Sequence, residues 1–417
     1  MKPPDLEWSA LQFNSYRFDR SRRSWIFHPV ILFSVVWAGV VSLYSLHLSK
    51  LLFYNSTQAL ATVAYLWLPF VLVVLLYDSF LHFSRFAFGQ NRIEITLNYR
   101  LLTKRLRRWF LFWVAISCIE IVASGGLPIL WLLQGSSKTY FDFGIPTLHG
   151  FMNSLLLAIA VTSAALYGIL RRKRHLLLPA FVILWSILAI TRNMMIVILL
   201  EVSLLLLQLA KVRLQTVFRI FFGVIVLVFV FGVIGDLRTG ADSFRLLAQP
   251  TKNYPDWLPS GVLWAYIYLV TPLNNLVYTA QGTQPLYNIL FPNTLSLLLP
   301  TVLRTIVFGQ DLSSLGNGDL VTSAFNVSTA YAGPYQDFGF VGMMLFSAFI
   351  GVISISFWEQ TSLRGLLIYT ILAQCLILTV FYNHFLLLPI ITQVGWIAVF
   401  FMPEIRYGKR DGTSNDR

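Results

Sequence analysis

Apolar runs long enough to cross a lipid bilayer recur along this chain, and they set the first limit on what it can fold into. The stretch 29–48 contains no Asp, Glu, Lys or Arg, and 58–82 contains only Asp78. A helix needs about 20 such residues to span a hydrocarbon core. A water-facing surface, by contrast, needs charge, and soluble domains carry about 25% charged residues. Here charged residues make up 12% and hydrophobic residues 57%, with mean hydropathy +0.69. These values exclude an ordinary soluble globular protein. The expected fold is all-α: a polytopic integral membrane protein of about ten transmembrane helices.

The apolar runs place spans at 29–48, 58–82, 109–132, 149–170, 176–190, 193–209, 217–234, 339–358, 365–385 and 386–402. They divide the chain into an N-terminal membrane bundle (1–234), a large outer loop (235–338), and C-terminal spans with a tail (339–417). With both termini placed in the cytoplasm, 24 of the 31 Lys and Arg residues fall on the inner side, including the RRKRH and TKRLRR clusters. That asymmetry is what the positive-inside rule demands. It accounts for most of the net charge of +13 without any nucleic-acid partner. About 25 polar residues precede the first apolar run, a pattern unlike a cleavable signal peptide. Cys118 and Cys375 sit in apolar runs with no CxxC spacing, so packing is expected of them rather than a disulfide or a zinc site.

Within 235–338, the runs 262–278 and 288–308 are apolar but interrupted by Pro272, Asn274, Asn275, Pro292 and Pro300. They read as amphipathic or re-entrant helices at the outer membrane edge. A polar, glycine-rich piece, 309–342, follows them. No internal repeat and no Walker A sequence is present, and the spans split seven to three around the loop. A secondary transporter built on inverted repeats does not fit that division.

The outer arginines run against the positive-inside rule and need another explanation. Arg192 follows a short span and is either a snorkelling turn residue or an anion contact. Arg238 and Arg245 are seven residues apart, on one face if helical, where they either pair with Asp236 and Asp242 or clamp a phosphate. Arg304 lies in an apolar run, snorkelling or touching a ligand. His384 and Asp337 are candidate general bases. The alternatives are a structural histidine and an N-cap for the span that follows Asp337. Asn326, Tyr331 and Tyr335 are candidate sugar contacts, with Asp319 beside them. Glu120, Glu201 and Asp78 lie within spans, where buried hydrogen bonding is the plainer account and a proton relay the other. No outer metal motif is present, and no cofactor is expected.

Three segments carry a resemblance: ITRNMMIVILLE (190–201), YIYLVTPLNNLVY (266–278) and AGPYQDFGFVGMMLFSAFIG (332–351), set in a many-span layout with one large outer loop. The chain resembles the Wzy-type O-antigen or oligosaccharide repeat-unit polymerases. The likeness covers the architecture of most of the chain but only these segments as sequence. It implies a glycosyltransferase of the bacterial inner membrane, acting at the periplasmic face on undecaprenyl-pyrophosphate-linked glycans. It also implies membrane lipid as surroundings, with chain-length regulator and flippase proteins as partners. On this reading the arginines stabilise the pyrophosphate leaving group, with Arg238 in the catalytic set and Arg192, Arg245 and Arg304 on the substrate. Two other readings stay open: an O-antigen ligase of the same architecture, which differs in acceptor, and a non-enzymatic polysaccharide or lipid transporter.

Overall fold

The computed structural model describes residues 24–88, 99–210, 241–308, 318–322 and 326–402, with isolated positions between 215 and 233. Among these residues the secondary structure is helical, without a strand, and an isolated bridge joins Ser49 to Pro250. In chain order the helices are α1 (Pro29–Tyr44), α2 (Ser56–Phe88), α3 (Tyr99–Ser124), α4 (Pro128–Leu133), α5 (Leu148–Leu170), α6 (Leu177–Leu188) and α7 (Arg192–Leu209). There follow α8 (Ala241–Ala248), α9 (Ser260–Gly282), α10 (Pro292–Leu295), α11 (Thr301–Phe308), α12 (Ala332–Trp358), α13 (Leu363–Leu378) and α14 (Leu388–Phe400).

Helices occupy nine of the ten expected spans, and the other, 217–234, is described only at isolated positions. Among the described residues, five stretches are long and apolar enough to cross a membrane: Ser56–Ser84, Tyr99–Leu133, Leu148–Leu170, Arg192–Leu209 and Ala332–Trp358. Pro29–Tyr44, Leu363–Leu378 and Leu388–Phe400 are apolar but shorter.

Two helices form the keel of the bundle. Every residue of α5 from Ser154 to Leu166 is buried, and α3, α6, α7 and α14 pack around it. A helix apolar on all sides must be enclosed by others. Small residues on α5, such as Ala158, Ala160, Ser163 and Ala164, let neighbouring backbones come close. Almost all of α13 is likewise buried, among α1, α7, α12 and α14. Sequence punctuation sets the ends. Gly125 and Gly126 take positive φ and stop α3, and Pro128 restarts the chain as α4. Ser362 caps α13 by accepting from the Gly365 N–H at 3.0 Å.

The run 262–278, expected to be an amphipathic or re-entrant helix, forms most of α9, packed on α1, and the residues around its interruptions are enclosed: Thr271, Pro272, Asn274 and Asn275 are buried. The asparagines serve as polar struts. Asn274 accepts from the Tyr44 hydroxyl at 2.8 Å and donates to the Leu51 carbonyl at 3.1 Å. Asn275 donates to the Val327 carbonyl at 2.9 Å and accepts from the Val321 N–H at 3.1 Å. Both amides are satisfied, which is the condition for burying them.

The eighth span also starts earlier than its apolar run. Helix α12 begins at Ala332 and is kinked at Phe338 and Gly339, where Gly339 has φ 60° and ψ −147°. That region is open only to glycine.

Candidate functional site

Helices α13 and α14 are short, 16 and 13 residues or about 24 and 20 Å at 1.5 Å per residue, and the turn between them packs against α1. Thr379 receives a hydrogen bond from the Trp37 indole, midway along α1, at 3.2 Å. The segment 326–331 descends to meet it, and the Ala330 N–H donates to the Thr379 carbonyl at 2.8 Å.

This turn carries His384, which is 4% exposed, with a buried Nδ1 that has no hydrogen-bond partner among the described residues. The Tyr382 ring sits edge-on to it at 6.2 Å. The Arg304 charge on α11 lies within electrostatic reach of the Tyr382 phenol. Of the expected site residues, Arg304 and His384 are thus each neighbours of Tyr382. Sequence reading missed Tyr382, although its place two residues before His384 was a usable signal.

The other expected residues are dispersed. Arg192 starts α7 and is exposed, with no recorded hydrogen bond or ion pair among the described residues. Arg245 on α8 donates to the Asp256 carbonyl at 3.1 Å and lies 3.9 Å from its carboxylate; Asp236 and the Asp242 side chain, its expected partners, lie outside what the structure describes. Arg238 lies outside the described residues, and the expected pairing of Arg238 with Arg245 falls there with it.

Asp337 is fully buried and its carboxylate is filled. It accepts from the Asn293 N–H (3.0 Å), Asn293 Nδ2 (2.9 Å), the Thr294 N–H (2.8 Å) and the Thr294 hydroxyl (2.6 Å). It does cap a helix, but not the one it belongs to. It closes the start of α10, 44 residues upstream. Tyr331 and Tyr335 are inside as well. The Tyr331 hydroxyl accepts from Ser347 at 3.1 Å and the Tyr335 hydroxyl donates to the Ala280 carbonyl at 2.7 Å. Asn326 is exposed, beside a cleft of about 10 Å³ that it lines with Tyr268, Thr271, Pro272 and Val327. That volume holds one water and no sugar. Asp319 accepts a short hydrogen bond from Thr283.

The acidic residues inside spans have partners. Glu201 is completely buried, and Gln393 Nε2 lies 3.0 and 2.8 Å from its two oxygens. Glu120 Oε2 is 3.3 Å from His149 Nδ1, while Asn153 donates to His149 Nε2 at 2.9 Å. That arrangement leaves the imidazole proton on Nδ1, facing Glu120. Asp78 and His82 in the second half of α2 and Glu359 just past α12 have donor atoms within 4.8 Å of one another, close enough to share a cation. Comparison with family models, curated proteins and solved structures finds no match to this chain.

Proposed function

We propose that the chain is a membrane glycosyltransferase of the repeat-unit polymerase type, acting in a bacterial inner membrane on a polyprenyl-pyrophosphate-linked glycan. The observation that carries this reading is the convergence of Arg304, Tyr382 and His384 at the turn between the two short helices. In such a transfer, the bond from the anomeric carbon to the pyrophosphate oxygen breaks. The acceptor hydroxyl oxygen bonds to the same carbon, and its proton must be taken up. Arg304 is the group suited to the departing pyrophosphate, because a planar guanidinium donates two parallel hydrogen bonds to phosphate oxygens. His384 is the group assigned to the proton, because its buried Nδ1 is not engaged by any described residue. The Asp337 carboxylate has no comparable freedom, so the base is assigned to His384 alone. Arg192 and Arg245 serve, on this reading, outside the reacting centre.

The test is reconstitution of the purified protein with a lipid-linked repeat unit. A ladder of products is expected, with Arg304→Ala and His384→Ala each slowing its growth at least about tenfold while the protein stays folded. Charge-assisted hydrogen bonds of about 1.5–3 kcal/mol support that size of effect. A single transfer, only onto a lipid A core acceptor, would assign the chain to ligation instead. Absence of any glycan transfer from a pyrophosphate donor would sink the reading.

A further inference from the structure

The first half of α3 and the end of α14 with the residues just past it form an open cleft of about 470 Å³, lined by Arg105, Arg108, Trp109, Phe112, Val399 and Met402. On α3 the four lining residues are spaced i, i+3, i+4 and i+7, one stripe down a single helix face. Val399 and Met402 lie three apart at the end of α14. The walls have distinct chemistries. Arg105 is fixed in place, since Nη1 donates to the carbonyls of Phe400 (3.0 Å) and Met402 (2.7 Å) at the carbonyl end of α14. Arg108 is exposed. Trp109 stands between them, its ring 5.0 Å from Trp396 and 5.7 Å from Phe112. Phe112 is 43% exposed and continues the stripe into the apolar part of the helix.

We propose that this cleft is a binding site for an anionic phospholipid, separate from the transfer chemistry. Three observations commit it to that occupant. The mouth is cationic, which suits a phosphodiester. The depth changes within about two helical turns from guanidinium to indole to phenyl and valine, matching the order of headgroup, interface and acyl chain across a leaflet. The volume falls in the range of about 300–1,000 Å³ that small-molecule sites occupy. The charge bias of the sequence puts this end on the cytoplasmic side, where anionic lipid headgroups meet juxtamembrane arginines. A detached phosphate would meet the same guanidinium groups but would leave Phe112 and Val399 uncovered.

Arg107 provides the internal control. It is exposed, carries the same charge and lies one residue from Arg108, yet it does not line the cleft. Full-length protein in detergent is titrated with phosphatidylglycerol, phosphatidylcholine or inorganic phosphate, and binding is read by native mass spectrometry and by the shift in thermal unfolding. Phosphatidylglycerol is expected to bind and stabilise, with phosphatidylcholine and phosphate having little effect. Arg108→Ala should weaken phosphatidylglycerol about tenfold, Trp109→Ala should weaken it measurably, and Arg107→Ala should leave it unchanged. Equal losses in the Arg107 and Arg108 variants would reveal diffuse surface electrostatics and overturn the site. Equal binding of phosphatidylcholine, or stabilisation by phosphate alone, would also overturn it.

Discussion

Asp337 looks from its sequence position like the cap of the span it enters, and the structure gives it a longer reach. Its four donors come from two adjacent residues at the start of α10, so truncation to Ala would leave two buried backbone N–H groups, an amide and a hydroxyl unmatched. Asp337→Ala is expected to destabilise the protein by about 3 kcal/mol, read as a lowered unfolding temperature and a poor folded yield in detergent. Asp337→Asn should cost less, because one amide oxygen can still accept. The residue scale was only partly legible beforehand. Glu120 and Glu201 are in spans, and a span carboxylate needs a partner. Which partner it takes, His149 or Gln393, depends on helix packing and on sequence separations that no local pattern records.

The elements were more legible, because a run of apolar side chains has one physical use wherever it occurs in a bilayer. Their ends were less so. The apolar signal starts the third span at 109, yet α3 begins at Tyr99 and carries Arg100, Lys104, Arg105, Arg107 and Arg108 within the helix, since Lys and Arg are good helix formers. Pro272, Asn274 and Asn275 interrupt the hydropathy of α9 and so point to a surface, but their polar groups find partners inside. The kink in α12 gives an element-scale prediction. A Cβ at Gly339 would require a strained backbone and would sit 3.1 Å from Pro285 Cγ. Gly339→Ala should destabilise by about 1–3 kcal/mol. Gly39→Ala, in α1 with nothing within 4 Å of the new methyl, should be neutral or stabilise by about 0.5–1 kcal/mol. Thermal unfolding of the two variants side by side measures the difference.

For the whole molecule, the asymmetry of basic residues predicts a sidedness, with both termini cytoplasmic, that labelling can read. In a Cys118→Ser background, with the buried Cys375 left in place, Ser136→Cys should react with a membrane-impermeant maleimide on intact spheroplasts. Lys173→Cys should react only after permeabilisation. The reverse pattern would invert the topology and, with it, the assignment of the α13–α14 turn to the outer face. Metal removal is a second test at this scale. The proposed transfer uses Arg304 and His384 and none of Asp78, His82 and Glu359, the trio able to share a cation. EDTA should therefore leave glycan transfer intact, and loss of transfer with recovery on adding Mg²⁺ would move the chemistry away from Arg304 and His384.

The bonds from Asp337 to Asn293 and Thr294 tie together two points 44 and 43 residues apart in the chain. The stretch between those feet is also pinned to the bundle from within, by Asn275 to Val321 and Val327 and by Thr379 to Ala330. A change of length is therefore cheap only between neighbouring pins, where doubling a loop adds about 0.6 kcal/mol of closure entropy, and a change that breaks one pin leaves the others to keep the fold in register.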